Sequence, residues 1–238
     1  MIIRCGIIFA MLAGGLLAQD EGLYLRYGKW SSDLAGEVST FGEAVDVAKD
    51  LALDSDKPSS YGFIYRGQRH RFGLDIFDVG TSSTVTLDAP LDFGGHHFEA
   101  GEVLGTELKI RTSELEYWYP LGLQPTLRTG LVLAAQQVKM ESRIGDVSVE
   151  HDEIIPAVGL GVTFLTPRSK MYVDLVITAG ENGGSSQYSG RVETGLDLTS
   201  SLGIFLGLKK AKMDLEDDHS VSFDVDTASF YLGAHLHL

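Results

Sequence analysis

Ten segments of this chain alternate at period two, and on at least six of them the face opposite the apolar one is charged. In "SQYSGRVETGLDL", residues 186–198, Tyr188, Gly190, Val192, Thr194, Leu196 and Leu198 share one face, while Ser189, Arg191, Glu193 and Asp197 share the other. A period of two assigns alternate residues to opposite faces of a strand. The alternating segments run about 22–31, 58–67, 69–80, 106–119, 125–139, 152–165, 169–180, 186–198, 202–214 and 222–238. Their apolar faces include Leu23, Leu25 and Tyr27; Phe72, Leu74 and Ile76; Val158, Leu160, Val162 and Phe164; and Met171, Val173, Leu175 and Ile177. The opposite faces carry Arg26, Arg66, Arg71, Asp75, Glu114, Glu116, Arg128, Asp174, Arg191, Glu193 and Asp197, with small residues such as Gly130, Ala157, Gly159 and Gly161.

A soluble sandwich or a lipocalin-like barrel would bury the apolar faces inside. The charged alternate faces favour the opposite arrangement, in which apolar side chains meet hydrocarbon and closure leaves no strand edge unpaired. Tyr24, Trp30, Tyr117, Trp118, Tyr119, Tyr172, Tyr188 and Tyr231 lie near strand ends, where interfacial girdles form. Short turns ("GQ", "PLGLQP", "TPRS", "TSS") alternate with longer or more polar connections (32–57, 81–105, "SRIGDVSV", "EDDHSV"). The predicted fold is all-β: a closed antiparallel up-and-down transmembrane β-barrel of about ten strands, with eight as the alternative. The charged set is predicted to line its lumen as a structural network that largely plugs it. Asp174→Asn, on the lumen face, is then expected to leave insertion nearly intact, and Leu175→Arg, on the outward face, to destabilise.

The N-terminus fits export to such a site. "MIIRCGIIFAMLAGGLLAQDEG" sets Arg4 before an apolar run from Cys5 to Leu17, with small Ala18 ahead of Gln19. That is the form of a signal peptide over 1–18, leaving 19–238 as the barrel. The run is too short for a comfortable membrane-spanning helix. Cleavage leaves no cysteine, so no disulfide is expected.

"GLYLRYGKWSSDLAG", "VDVAKDLALDSD", "LKIRTSELEYWYPL" and the final "FYLGAHLHL" resemble small outer-membrane β-barrel proteins of Gram-negative bacteria, broadly the OmpA and OmpW barrels. The resemblance runs along the whole mature chain. It implies location in the cell outer membrane, insertion by the barrel-assembly machinery and contact with outer-membrane lipid and lipopolysaccharide. It supplies no catalytic residues. Such chains commonly end in an aromatic residue, whereas this one ends in Leu238; the outward set Phe230, Leu232, Ala234, Leu236 and Leu238 is otherwise intact.

Charge is unevenly spread. The formal net charge is −14, yet segments 33–57, 81–105, 141–153 and 214–226 sum to −5, −4, −4 and −6. The short turns are neutral or basic, as in "RGQRHR" and "RSK". An anionic external rim disfavours nucleic acid and attracts cations, and its carboxylates offer the oxygen ligands that divalent cations take, although no loop has EF-hand spacing. The metal-ligating residues stay unassigned.

Three functions remain in play: a barrel with a structural or interaction role, a narrow porin for small solutes or ions, and an omptin-like surface hydrolase. For the last, Asp217, Asp218 and His219 would need a second acidic group across the mouth, with Asp92 and His96 the candidates. His235 and His237 fall on the lumen face near the short-turn end. No nucleotide loop, zinc spacing or haem motif is present, so no cofactor and no enzyme activity is expected. The first long loop, "FGEAVDVAKDLAL", is predicted to fold over the mouth through Val45, Val47, Leu51 and Leu53.

Overall fold

The computed structural model describes residues 21–40, 43–46, 59–67, 69–166, 170–216 and 221–238. The signal segment and the central part of the expected lid, with Val47, Leu51 and Leu53, lie outside them. Among the described residues thirteen strands form: β1 (Gly22–Thr40), β2 (Glu43–Asp46), β3 (Ser59–Arg66), β4 (Arg71–Thr86), β5 (Leu91–Phe93), β6 (His96–Phe98), β7 (Val103–Leu123), β8 (Leu127–Ile144), β9 (Val147–Thr166), β10 (Met171–Asn182), β11 (Ser185–Asp197), β12 (Leu202–Glu216) and β13 (Val221–His237). Ten of them pair antiparallel with their neighbours in sequence order, and β13 closes onto β1. This is the ten-stranded closed barrel that the alternation predicts.

Strand β2 pairs only with the far end of β1, and β5 with β6 makes a separate hairpin. From Lys29 the register leads through Ser59, Asp78 and Arg111 to Lys139 on β8. The other way it passes Leu232, Leu206, Thr194, Val173 and Phe164 to Leu127, 12 residues lower on β8. That stagger tilts the strands by about 40° from the barrel axis.

Several strands outrun their predicted ends. Strand β7 spans 21 residues where 106–119 was expected, and β8 and β9 extend to a tight turn at Gly145 and Asp146. "SRIGDVSV" is thus a strand–turn–strand rather than a loop, with Gly145 at φ 58°, a left-handed conformation that glycine adopts without steric cost. At about 3.3 Å per residue β7 is ~70 Å long, more than a tilted strand needs to cross a bilayer core.

The outer wall explains the excess. On β12, Ile204, Leu206 and Leu208 are exposed, and on β13 so are Phe230, Leu232 and Leu236. Beyond this belt the same outward parity carries Lys210 and Lys212 on β12 and Asp224 and Asp226 on β13. Lys109 and Arg111 on β7, and Lys139 and Glu141 on β8, do likewise. The barrel therefore stands well clear of its apolar belt at the end opposite the short turns.

Candidate functional site

Inward parity brings the predicted lumen residues together in ion pairs and hydrogen bonds. Arg26 on β1 pairs with Glu193 on β11, and lies 3.7 Å from Asp75 on β4. Arg191 reaches Glu116 at 2.9 Å and Asp75 at 3.9 Å. Arg71 donates to Asp174 at 2.7 Å, and Arg66 lies 4.0 Å from the same oxygen. Asp197 meets His235 at 2.8 Å. The last charged contact, Lys209 to Glu114 at 2.5 Å, comes from a lysine the sequence reading left out. Lys209 and Lys210 are adjacent on β12, and parity with buried Phe205 and Ala211 was the available signal for which one points inward. Arg128 shares the inward face and lines a cavity with Arg66 and Arg71 at the short-turn end.

The network is built across the barrel. Arg26 and Glu193, Arg71 and Asp174, and Lys209 and Glu114 each join strands that are not neighbours in the sheet. Asp174 also accepts from Thr163 at 2.6 Å and is 1% exposed. Its charge answers two arginines in a buried interior, where losing one partner strands the other, so neutralisation is expected to cost stability.

Five of the eight presumed girdle aromatics point inward. Tyr24, Trp118, Tyr172 and Tyr231 are buried, and Trp30 stacks on Tyr231 at 4.4 Å. Tyr172 and Tyr231 each donate to Glu193 at 2.9 Å. Arginines lie over rings, Arg26 over Phe205 at 4.2 Å, Arg66 over Tyr172 at 4.5 Å and Arg71 over Trp118 at 4.7 Å, which lowers the cost of housing guanidinium groups in a narrow interior. Inward glycines make the room. A Cβ on Gly161 would stand 2.2 Å from the Trp118 ring, and one on Gly195 would stand 2.3 Å from Tyr172. Tyr27, Tyr61, Tyr119 and Tyr188 remain outside.

Above the charged layer the interior turns apolar. Leu108, Ile110, Val138, Met140, Ile144, Ile155, Met213, Leu215, Phe223 and Val225 form one buried cluster. Phe93 and Phe98, from the β5–β6 hairpin, belong to it at 0% and 4% exposure. The hairpin base is fixed by Leu87 donating to the Glu102 carbonyl at 3.0 Å and Gly101 donating to the Leu87 carbonyl at 2.8 Å. A capping segment was expected from the first long loop, yet the 81–105 segment supplies one. A small cavity of about 50 Å³ separates the two layers, with Arg26, Glu114, Arg191 and Lys209 toward one side and Ile110 and Met213 toward the other.

Of the hydrolase candidates, Asp92 and His96 are described and do not pair with each other. Asp92 faces His97, not His96, with Nδ1 at 2.6 Å, and both side chains are about half exposed. The His96 ring lies edge-on to Phe98 instead. Asp217, Asp218 and His219 lie outside the described residues. Among the described residues no cluster of three or more His, Cys, Asp or Glu could hold a metal. On the outer wall beyond the belt, Lys139 and Gln137 both hydrogen-bond Asp152 and hold its carboxyl below the ordinary range.

No family model matches this sequence, and no curated protein does either. Among solved structures the chain is similar to the outer membrane protease OmpT from Escherichia coli, at a TM-score of 0.58 and 10% identity over 94% of this chain and 99% of that one. It is also similar to Neisserial surface protein A, at a TM-score of 0.41 and 11% identity over 91% and 97%. The attachment invasion locus protein Ail of Yersinia pestis gives 0.36 and 12% over 92% and 99%. At such identities the first likeness shows the fold alone, an outer-membrane β-barrel.

Proposed function

We propose that this chain is an integral protein of the cell outer membrane whose lumen is shut at rest, with a structural or surface-interaction role and no catalytic turnover. One observation carries this reading: ion pairs cross the interior between non-adjacent strands, with a cavity of about 50 Å³ between them and the apolar cluster. Wide aqueous channels belong to barrels of more strands. Outer-membrane lipid and lipopolysaccharide surround the belt, and the barrel-assembly machinery inserts it. The acidic rim beyond the belt faces the exterior, attracts divalent cations and repels nucleic acid.

A narrow porin is the second reading, favoured by cavities on either side of the charged layer, about 50 and 70 Å³ in volume. Planar-bilayer conductance of the refolded chain separates the two. A shut barrel gives small, infrequent openings that Arg191→Ala enlarges; large steady openings of the wild type reject it.

A further inference from the structure

On the outer wall, strands β9 to β12 present their outward residues in matched rows. The register sets Val158, Ala179, Tyr188 and Lys212 in one row, and Leu160, Ile177, Gly190 and Lys210 in the next. Ile177 and Tyr188 are each 61% exposed and stand proud of the sheet. Ala179 and Gly190, diagonal to one another, leave a depression that passes between them. A Cβ built on Gly190 would meet no atom within 4 Å. The result is an open groove of about 520 Å³, lined by both rows.

The groove straddles the level at which the outer wall changes polarity. On β12 the outward residues before Lys210 are Ile204, Leu206 and Leu208, all exposed. Lys210 and Lys212 are thus the first outward charges beyond the belt on that strand, and both line the groove. Lys212 donates to Asp224 at 3.2 Å. The residues directly opposite Lys210 are Gly190 and Ala228, neither of them acidic. A lysine stem lies along apolar surface while its ammonium reaches polar surroundings, and at a membrane surface that ammonium attracts anionic headgroups. An apolar floor with cations at its polar end therefore complements a lipid that carries acyl chains below a phosphate.

We propose that this groove is a binding site for lipopolysaccharide of the outer leaflet, with an acyl chain lying between Ile177 and Tyr188 and a phosphate held by Lys210 and Lys212. The proposal rests on the outer-membrane location and the outward-facing acidic rim proposed above, and not on whether the lumen is shut.

The test uses the full mature chain refolded in uncharged detergent, titrated with deep-rough lipopolysaccharide and read by native mass spectrometry. Saturable retention of the lipid is expected, and the dephosphorylated form of the same lipid should be held severalfold more weakly. Lys210→Gln with Lys212→Gln should weaken retention about tenfold, as loss of two lysine–phosphate contacts at a membrane surface implies. Gly190→Leu fills the depression without altering charge and should weaken it severalfold. Two variants serve as controls and should leave retention unchanged: Lys109→Gln on β7, on the opposite side of the barrel from β12, and Ala234→Leu on the exposed face of β13. Retained heat-modifiable gel mobility verifies that each variant is folded. No retention by the folded wild type, equal retention of the dephosphorylated lipid, or retention unchanged in both groove variants overturns the proposal. Phosphatidylglycerol held as tightly through the same residues overturns it in favour of a phospholipid site. Location is read separately, by fractionation of the chain with the outer membrane, so a correctly located, folded chain that holds no lipopolysaccharide refutes the groove and not the location.

Discussion

Replacing Glu193 by glutamine removes the charge from a carboxylate that is 1% exposed and accepts from Arg26, Tyr172 and Tyr231. Its shape and one carbonyl oxygen survive, so no cavity opens. What is lost is the counter-charge to Arg26, which keeps Asp75 at 3.7 Å as its remaining carboxylate. Breaking a buried pair from one side costs about 3–5 kcal/mol, because the surviving charge stays desolvated. With Asp75 still near, the lower end applies, about 3 kcal/mol. That is a large share of a marginal folding free energy. The assay is equilibrium urea unfolding of the refolded chain in lipid vesicles, followed through the two tryptophans. Arg26→Met alone should cost a similar amount, and the double variant should cost clearly less than the two together, with a coupling of at least ~1 kcal/mol. A loss below ~1 kcal/mol for Glu193→Gln, or strict additivity, would refute a network in which Glu193 and Arg26 hold each other.

Leu175→Arg places a cation on the apolar belt and should destabilise by roughly 2–4 kcal/mol if it lies near the bilayer midplane; Asp174→Asn, one residue away and inward, should also destabilise, and an inert Asp174→Asn would contradict its two-arginine environment. Phe93→Ala removes a fully buried ring from the hairpin and should lose ~3 kcal/mol of local packing, seen as faster proteolysis between residues 87 and 102 while barrel unfolding is unchanged. The Lys139–Asp152 pair, about half exposed on both sides, contributes stability that is present above the ordinary carboxylate range, about pH 4, and is lost as pH falls through the lowered value. Asp152→Asn should abolish that dependence at a cost within ~0.5 kcal/mol, measured by unfolding at pH 7 and pH 3.

Parity carried most of what the sequence could tell. It placed Arg26, Asp174, Arg191 and Glu193 inside and Leu175, Phe230 and Leu232 outside, and their exposure and ion pairs follow that phase. Where the reading departed from parity it failed. Tyr24 alternates in step with Arg26, Trp118 with Glu116, and Tyr172 with Asp174, yet their position near strand ends suggested a girdle. Residue type was allowed to outweigh phase, although a one-residue change of phase moves a side chain to the other face. Pairings across the lumen were a different matter. Arg26 meets Glu193 at a sequence separation of 167, and only strand number and stagger bring them together.

The apolar upper interior was overlooked for another physical reason, and it left a mark in the sequence. On β12 the outward series runs Ile204, Leu206, Leu208 and then Lys210, Lys212, Asp214, while the inward series runs Phe205, Gly207, Lys209 and then Ala211, Met213, Leu215. The phase never slips, but polarity exchanges between the faces after Leu208. The same exchange appears on β7, where Leu108 and Ile110 are buried while Leu115 and Tyr119 are exposed, and on β13, where Phe223 and Val225 are buried while Phe230 and Leu232 are exposed. A strand inside a bilayer must be apolar outside, whereas the same strand in water packs its apolar side inward like any soluble sheet. The exchange point therefore marks the level at which the outer wall passes from hydrocarbon to water. Segments past that point read as polar loops when only their outward residues are weighed, although the inward residues of 141–153 and of the strand ends at 81–86, 103–105, 214–216 and 221–226 continue the barrel.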